Sequence, residues 1–181
     1  MTAVGAASAS AKNRRDRRSR LTGGLIAGAL ATATEATCTR AQVTMLGGRR
    51  PVFTPTLMVH RMVLAATGQS LDRRVERVLG VLMRSCYGPS WAAAWVLVRG
   101  GREPRLVRDS CVLGGIIWVF EITTLPTMRA TPPLRRWPAT DIALDLSNGL
   151  IFAVVANAVL AMQHRSQPTT RVSREVAGPH G

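Results

Sequence analysis

Positions 107–125 read VRDSCVLGGIIWVFEITTL, a mainly apolar run that Pro104 precedes and Pro126 follows. As an α-helix, about 20 residues at 1.5 Å per residue cover the roughly 30 Å hydrocarbon core of a bilayer, whereas helices of soluble proteins average about 11 or 12 residues. Proline is tolerated at the start of a helix and just beyond its end, so both prolines fit the ends of such a helix. The run is therefore predicted to cross a membrane.

Three more mainly apolar runs of similar length occupy positions 21–41, 78–98 and 142–162. Aromatic residues make up 4% of the chain, against 46% for apolar residues in total, which is few for a soluble core of this size. Four runs that are long enough to span predict an all-α protein, with a transmembrane four-helix bundle over residues 21–163.

The connection between the first two runs contains Thr54-Pro55 and Gly68, which predict a short helix between them. The sequence of this helix, TLMVHRMVLAAT, is partly apolar. It favours a helix that lies in the headgroup region of the membrane. The alternative is a helix that enters the membrane and closes over the bundle.

The chain carries 24 Lys and Arg residues against 10 Asp and Glu residues, a formal charge of +14. Residues 1–20 and 164–181 are predicted to be disordered tails outside the membrane. Six basic residues stand just before the first run: Lys12, Arg14, Arg15, Arg17, Arg18 and Arg20. Because basic flanks stay on the cytoplasmic side, both termini are predicted to be cytoplasmic in a multi-pass protein of the inner (plasma) membrane, and the N-terminal tail to bind anionic lipid headgroups.

Two other interpretations of the basic N-terminus stay open. A basic segment, an apolar core and Ala29-Leu30-Ala31 or Ala31-Thr32-Ala33 also describe a secretory signal peptide, whose cleavage would remove up to residues 1–33. An Arg-rich tail can also belong to a soluble nucleic-acid-binding protein, but this tail has no interleaved aromatic residues, and we expect no nucleic-acid partner. The mature N-terminus tests the first alternative, and release from membranes by high salt tests the second.

Common catalytic and cofactor motifs are absent from the sequence, which has no G-x-S-x-G, H-E-x-x-H, Walker A or G-x-G-x-x-G pattern. Neither the cysteines nor the histidines have the spacing of a metal site or a disulfide framework: Cys38, Cys86, Cys111, His60, His164 and His180. We therefore expect no enzyme activity, no catalytic residue, no metal and no cofactor.

Polar residues interrupt all four runs at one depth. Glu35 and Glu121 each lie 14 residues from the cytoplasmic end of their run, about 21 Å at 1.5 Å per residue. Arg84 and Asn148 each lie six residues, about 9 Å, below the outer side, which is the same level in a roughly 30 Å layer. With Asp145 slightly further out, these residues are predicted to form one buried polar cluster.

Glycines share helix faces with these polar residues, at spacings of four or seven positions. Gly24 and Gly28 form the small-x-x-x-small pattern of closely packed membrane helices. The predicted packing glycines are Gly24, Gly28, Gly88, Gly114 and Gly149. The polar residues should therefore point into the bundle, and the face with Gly24 and Gly28 could also pair with a second copy of the chain in a homo-oligomer.

Two roles fit the polar cluster. Arg84 offers five donors, so it is predicted to be the central donor that holds two of the three carboxylates and fixes the register of the helices, a structural role. The alternative role is functional: three acids against one arginine leave negative charge that a proton or a cation would neutralise, which makes a binding site or relay. The structural role is the one we expect.

Short motifs recur in the four runs: GGLIAG in the first, Tyr87-Gly88 in the second, GGIIW followed by Pro126 in the third, and Ser147-Asn148-Gly149 in the fourth. In this order they resemble the YagU-like family of small bacterial inner-membrane proteins. The resemblance covers about residues 21–162, and at the fourth motif that family has a His where this chain has Ser147 or Asn148. It implies a four-helix inner-membrane protein and no particular molecular activity.

Overall fold

The computed structural model of the protein describes residues 3–45, 55–100, 102–128 and 131–166, with side chains from residue 13 onward. These ranges contain five α-helices, a short 3-10 helix and no strand, so the all-α prediction is confirmed. Each of the four apolar runs lies within one long helix. The helices are α1 (Ala3–Met45), α2 (Pro55–Thr67), α3 (Arg73–Arg99), α4 (Leu106–Thr127) and α5 (Ala139–Arg165), and the 3-10 helix spans Leu134–Arg136.

Local signals in the sequence set the ends of α2 and α3. Gly68 follows α2 with a φ of 70°, a left-handed conformation that favours glycine. Asp72 caps α3 because its Oδ1 accepts a hydrogen bond from the backbone N–H of Arg74 at 3.2 Å. Gly100 ends α3 with a φ of 65°. The short helix predicted before Gly68 is thus present, and it packs against α3.

The first helix begins far upstream of the apolar run that it contains. Residues 3–20, which we expected to belong to a disordered tail, continue α1 towards the N-terminus, and residues 13–20 are exposed. This prediction was wrong because alanine and arginine are strong helix formers and no proline or glycine stands between Gly5 and Gly23. A helix that is already formed at residue 21 extends at little cost. Of the predicted C-terminal tail, residues 164 and 165 belong to α5, and residues 167–181 lie outside the described ranges.

The four long helices pack in a chain of neighbours: α3 lies against α1, α1 against α5, and α5 against α4. Their buried contacts concentrate in the half of the bundle that contains residues 24–31 of α1, which we call the packed half. Small residues dominate these contacts, and this lets the helix backbones approach closely. The buried apolar residues there are Ala27, Ala31, Ala92, Val96, Leu113, Ala153, Ala156 and Leu160.

Two of the helices, α4 and α5, are long and apolar enough to cross a membrane. Within the described ranges α1 and α3 do not reach the same hydropathy, although each is long enough. Glu35 and Arg40 interrupt α1, and Arg84 with its neighbouring serine interrupts α3. Four long helices pack together, but a bundle of four spans stays a prediction.

Candidate functional site

A cavity of about 280 Å³ lies between the helices, in the half of the bundle where α1 ends and α5 begins. We call this the cavity half. All five α-helices contribute to its lining, which includes every residue of the predicted polar cluster: Glu35, Arg84, Glu121, Asp145 and Asn148. The structure therefore brings together, around one space, five residues from four helices.

An ion pair joins α1 to α3 at one side of the cavity. Nη2 of Arg84 donates to Oε2 of Glu35 at 2.8 Å. The hydroxyl of Thr39 shares its hydrogen between Oε1 of the same carboxylate at 3.0 Å and the backbone carbonyl of Glu35 at 2.9 Å. The Arg84 side chain is 37% exposed, so it lies at the edge of the cavity and not at its centre. Both oxygens of Glu35 thus have a donor from the protein itself.

Glu121 is held by a tyrosine, not by the arginine. The hydroxyl of Tyr87 donates to Oε1 of Glu121 at 3.1 Å, which joins α3 to α4. Among the described residues Arg84 pairs with a single acid, so its predicted role as the central donor to two carboxylates was wrong. The reason is position: Tyr87 stands three residues after Arg84 on the same helix face and occupies the place opposite Glu121. That spacing was visible in the sequence, where we used Tyr87 only as part of a family motif.

The face of α5 that borders the cavity carries Asp141, Asp145 and Asn148, at spacings of four and three residues. Oδ2 of both aspartates and Oδ1 of the asparagine are buried, and no described residue donates a hydrogen bond to them. Asp141 is only 8% exposed. Sequence reasoning missed it as a site residue because an acid in the first turn of a helix is typical of a stabilising helix start.

The remaining walls of the cavity are largely apolar and aromatic. The rings of Trp91 and Phe120 meet edge to face with centroids 5.3 Å apart, and Tyr87 meets Trp91 in the same way at 6.1 Å. Met58 of α2 and Leu125 of α4 pack together at one end. The indole of Trp137, which is almost fully buried, also lines the cavity and donates to the carbonyl of Pro132 at 2.8 Å.

Glycine contacts bring the backbones of α1 and α3 together beside the cavity. A Cβ atom added at Gly28 would lie 2.5 Å from Cα of Pro89 and 2.6 Å from the carbonyl oxygen of Gly88. A Cβ at Gly24 would lie 3.0 Å from Cα of Ala93, and one at Gly88 would overlap the hydroxyl of Thr32. Because α3 covers this glycine face within the chain, the face is not free for the homo-oligomer that the sequence suggested.

The other two predicted packing glycines face each other across α4 and α5. A Cβ at Gly114 would lie 3.1 Å from Leu150 and 3.5 Å from the carbonyl oxygen of Gly149, and a Cβ at Gly149 would lie 3.8 Å from the carbonyl oxygen of Gly114. A sixth close approach was missed: Gly80 of α3 meets the backbone of Thr56 in α2. Gly80 lies four positions before Arg84 and therefore on the same helix face, so the helix-face pattern could have found it.

The described lining of the cavity thus combines four carboxylates, one guanidinium and largely apolar walls. No group of three or more His, Cys, Asp or Glu residues in the described part of the chain could hold a metal ion. The described cysteines are all free thiols, and two of them are exposed. Chemically, the arrangement can attract a positive charge into an apolar space.

Comparison with known proteins finds no matching family model, no curated relative and no solved structure with a similar chain. The resemblance to the YagU-like family therefore stays a prediction.

Proposed function

We propose that this chain is a small multi-pass protein of the inner (plasma) membrane whose cavity half binds a cation. One observation carries the proposal: Glu35, Glu121, Asp141 and Asp145 all line one cavity, and Arg84 is the single cationic side chain among the described residues of that lining. When all are ionised, one positive charge faces four negative ones. Carboxylates are costly to bury inside a membrane protein, and they typically mark ion or substrate sites there.

The outer surface of the bundle supports the membrane location. Large apolar side chains on α3 and α4 are more than half exposed, as is unusual for a soluble protein but expected of helices that face lipid: Val78, Val81, Val98, Val107 and Val119. α4 and α5 also have the length and composition of spans. The exposed arginines in residues 14–20 support cytoplasmic termini and contact with anionic headgroups.

The two sides of the cavity have different roles in this proposal. Glu35 is satisfied by Arg84 and Thr39, so this side acts as the structural link between α1 and α3. Asp141, Asp145 and Asn148 keep buried oxygens without donors from the described residues, so this side is the one that takes up the cation. The structural role that we expected for the whole cluster is thus assigned to one half of it.

Cysteine labelling tests the membrane topology. With Cys38, Cys86 and Cys111 replaced by alanine, single cysteines at Met45 and Glu103 should react from opposite sides of the membrane. Residue 45 should be labelled by an impermeant maleimide from outside, and residue 103 only after the membrane is opened. The reverse pattern, or release of the protein from membranes by high salt without detergent, contradicts the topology.

Thermal unfolding tests the cation site. The protein purified in detergent should unfold at a higher temperature as sodium, potassium or tetramethylammonium is added, and at least one of these cations should give a saturating rise because it binds the folded state. Asp145→Asn should remove the saturating rise, whereas Glu103→Gln, the same charge change on an exposed loop residue, should keep it. If none of the cations gives a saturating rise, the proposed function fails.

A further inference from the structure

The lining of the cavity is divided between a polar face and apolar walls. The polar face belongs to α5, with Asp141, Asp145 and Asn148 in register along it. The opposite walls, on α2, α3 and α4, are mainly aromatic rings and methionines. They also carry Arg84 and Glu121, and the Glu121 carboxylate accepts a hydrogen bond from the Tyr87 hydroxyl. A bound group must therefore satisfy both surfaces at once.

The polar face needs a positive partner. Asp141 is more than nine-tenths buried, it lines the cavity, and its Oδ2 receives no hydrogen bond from the described residues. Oδ2 of Asp145, one helical turn further along, is in the same state. Leaving buried carboxylate oxygens unpaired is costly, so a ligand that supplies positive charge at this face gains more affinity than it would on the surface.

The apolar walls decide what kind of cation fits. Small inorganic cations bind through several oxygen ligands that converge on the ion. The buried oxygens of this lining that have no donor among the described residues all lie on α5, because Glu35 and Glu121 on the other walls already accept hydrogen bonds. Aromatic faces, in contrast, attract organic ammonium groups and pack against carbon. Trp91, Phe120 and Tyr87 form a continuous series of edge-to-face rings beside the acids. A volume of about 280 Å³ lies near the lower limit of small-molecule pockets, roughly 300 Å³.

We infer that the ligand of this cavity is a monovalent organic cation that carries an apolar group about the size of a phenyl ring. Its charged end lies against Asp141 and Asp145, and its apolar end lies against Trp91, Phe120 and the methionines of the opposite wall. This inference rests on the proposed function, because it names the class of cation that the acidic face takes up.

Calorimetric titration tests the inference with two probes that share one charged group. Benzyltrimethylammonium has the apolar ring, and tetramethylammonium lacks it. The full chain is titrated in nanodiscs of phosphatidylcholine, whose zwitterionic headgroups do not accumulate cations, with empty nanodiscs as the blank. We expect one saturable site for benzyltrimethylammonium and an affinity at least about tenfold weaker for tetramethylammonium, because the ring buries apolar surface in the cavity.

Variants place the site within the fold. Asp145→Asn and Asp141→Asn should each weaken benzyltrimethylammonium binding about tenfold or more, and Glu103→Gln should leave it unchanged. Using both aspartates keeps the test valid if one of the variants fails to fold, and circular dichroism shows which variants are folded.

Three results overturn the inference. The first result is equal affinity for the two probes, or tighter binding of sodium or magnesium than of benzyltrimethylammonium. It would show that the apolar walls contribute nothing to binding, while the proposed cation site would still stand. Binding that survives in both aspartate variants places the ligand elsewhere on the protein. The absence of saturable binding for every cation removes the inference and the proposed function together.

Discussion

The packed half and the cavity half are built from the same four long helices, yet these helices form a buried core in one half and enclose a cavity in the other. In the packed half, Gly24 and Gly28 let α1 lie directly against α3, and alanines fill the rest of the contact. In the cavity half, the corresponding faces carry Glu35, Arg84 and Glu121, whose length holds the helices apart. The size of the side chains on a helix face therefore determines whether four helices enclose a core or a pocket.

Two asparagines of α5 show the same difference in single side chains. Asn157, in the packed half, is fully buried and satisfied: its Oδ1 accepts from the indole of Trp95 at 3.0 Å, and its Nδ2 donates to the carbonyl of Ala153 at 3.0 Å. Asn148, in the cavity half, has a buried Oδ1 to which no described residue donates. The first asparagine stabilises the fold, and the second belongs to the face that we propose binds the cation.

The largest expected effect comes from filling the closest backbone contact of the packed half. In Gly28→Val, the added side chain would meet backbone atoms of Gly88 and Pro89 that cannot move aside. We expect the free energy of unfolding to fall by about 3 kcal/mol or more, with loss of folded protein. Yield after size-exclusion chromatography in detergent measures this. Gly115→Val is the matched control, because no atom lies within 4 Å of a Cβ there. Equal yields for the two variants would contradict the close packing of α1 against α3 at Gly28.

Removing the arginine of the cavity half should have the next largest effect. Arg84→Leu leaves the carboxylate of Glu35 without its cation. Because the pair is only partly buried, we expect a loss of about 2 kcal/mol in unfolding free energy, between the values for exposed and buried pairs. Thermal unfolding in detergent measures the change, with Arg77→Leu on the exposed side of α3 as the control.

Coupling between the two partners sharpens that test. The double variant Arg84→Leu, Glu35→Gln should recover part of the lost stability, because it removes the unpaired charge as well. An unchanged unfolding temperature in Arg84→Leu alone would mean that the pair contributes nothing to the link between α1 and α3.

A smaller and opposite pair of effects should distinguish the two asparagines. Asn157→Leu leaves the indole N–H of Trp95 without an acceptor, so we expect a loss of about 1–3 kcal/mol. Asn148→Leu removes an oxygen that has no donor among the described residues, so stability should stay the same or rise slightly. Tryptophan fluorescence during heating follows both variants, and equal losses would show that the two halves do not differ in this respect.

The smallest effect on stability is expected at the N-terminal end of α1. Replacing Arg14, Arg15, Arg17 and Arg18 with glutamine changes exposed side chains, so the unfolding free energy should shift by no more than about 0.5 kcal/mol. The orientation in the membrane should respond instead, because these residues supply the basic flank that stays in the cytoplasm. Protease accessibility of an N-terminal tag from outside the cell should increase, and an unchanged accessibility would assign the orientation to other residues.

That the polar residues would line one space could be predicted from the sequence, but their pairing could not. Counting residues placed Glu35, Arg84 and Glu121 at one level because the rise of an α-helix is fixed at 1.5 Å per residue. Which side chains then meet depends on the rotation of each helix about its axis and on neighbours such as Tyr87. An error of one residue in a helix boundary rotates a face by about 100°, enough to exchange one partner for another.

Spacing along a helix face was informative for the glycine contacts, whereas charge was misleading for the N-terminal tail. The glycines at four or seven positions from a residue of the polar cluster all lie at contacts between helices, because these spacings define one face. Residues 3–20 were expected to be disordered because of their charge, although their helix propensity is high. Asp141 was missed because an acid in the first turn of a helix also stabilises the start of that helix. The sequence does not distinguish that role from a role in the cavity.

The length of α1 has a mechanical consequence. Its 43 residues form one unbroken rod of about 65 Å, roughly twice the thickness of the hydrocarbon layer. Residues 24–31 of α1 pack into the bundle and Glu35 pairs with Arg84 of α3, which holds this part of the helix in place, whereas residues 13–20 are exposed. Because the helix is continuous, these eight residues extend it by about 12 Å and hold the arginines among them at a set distance from the packed half.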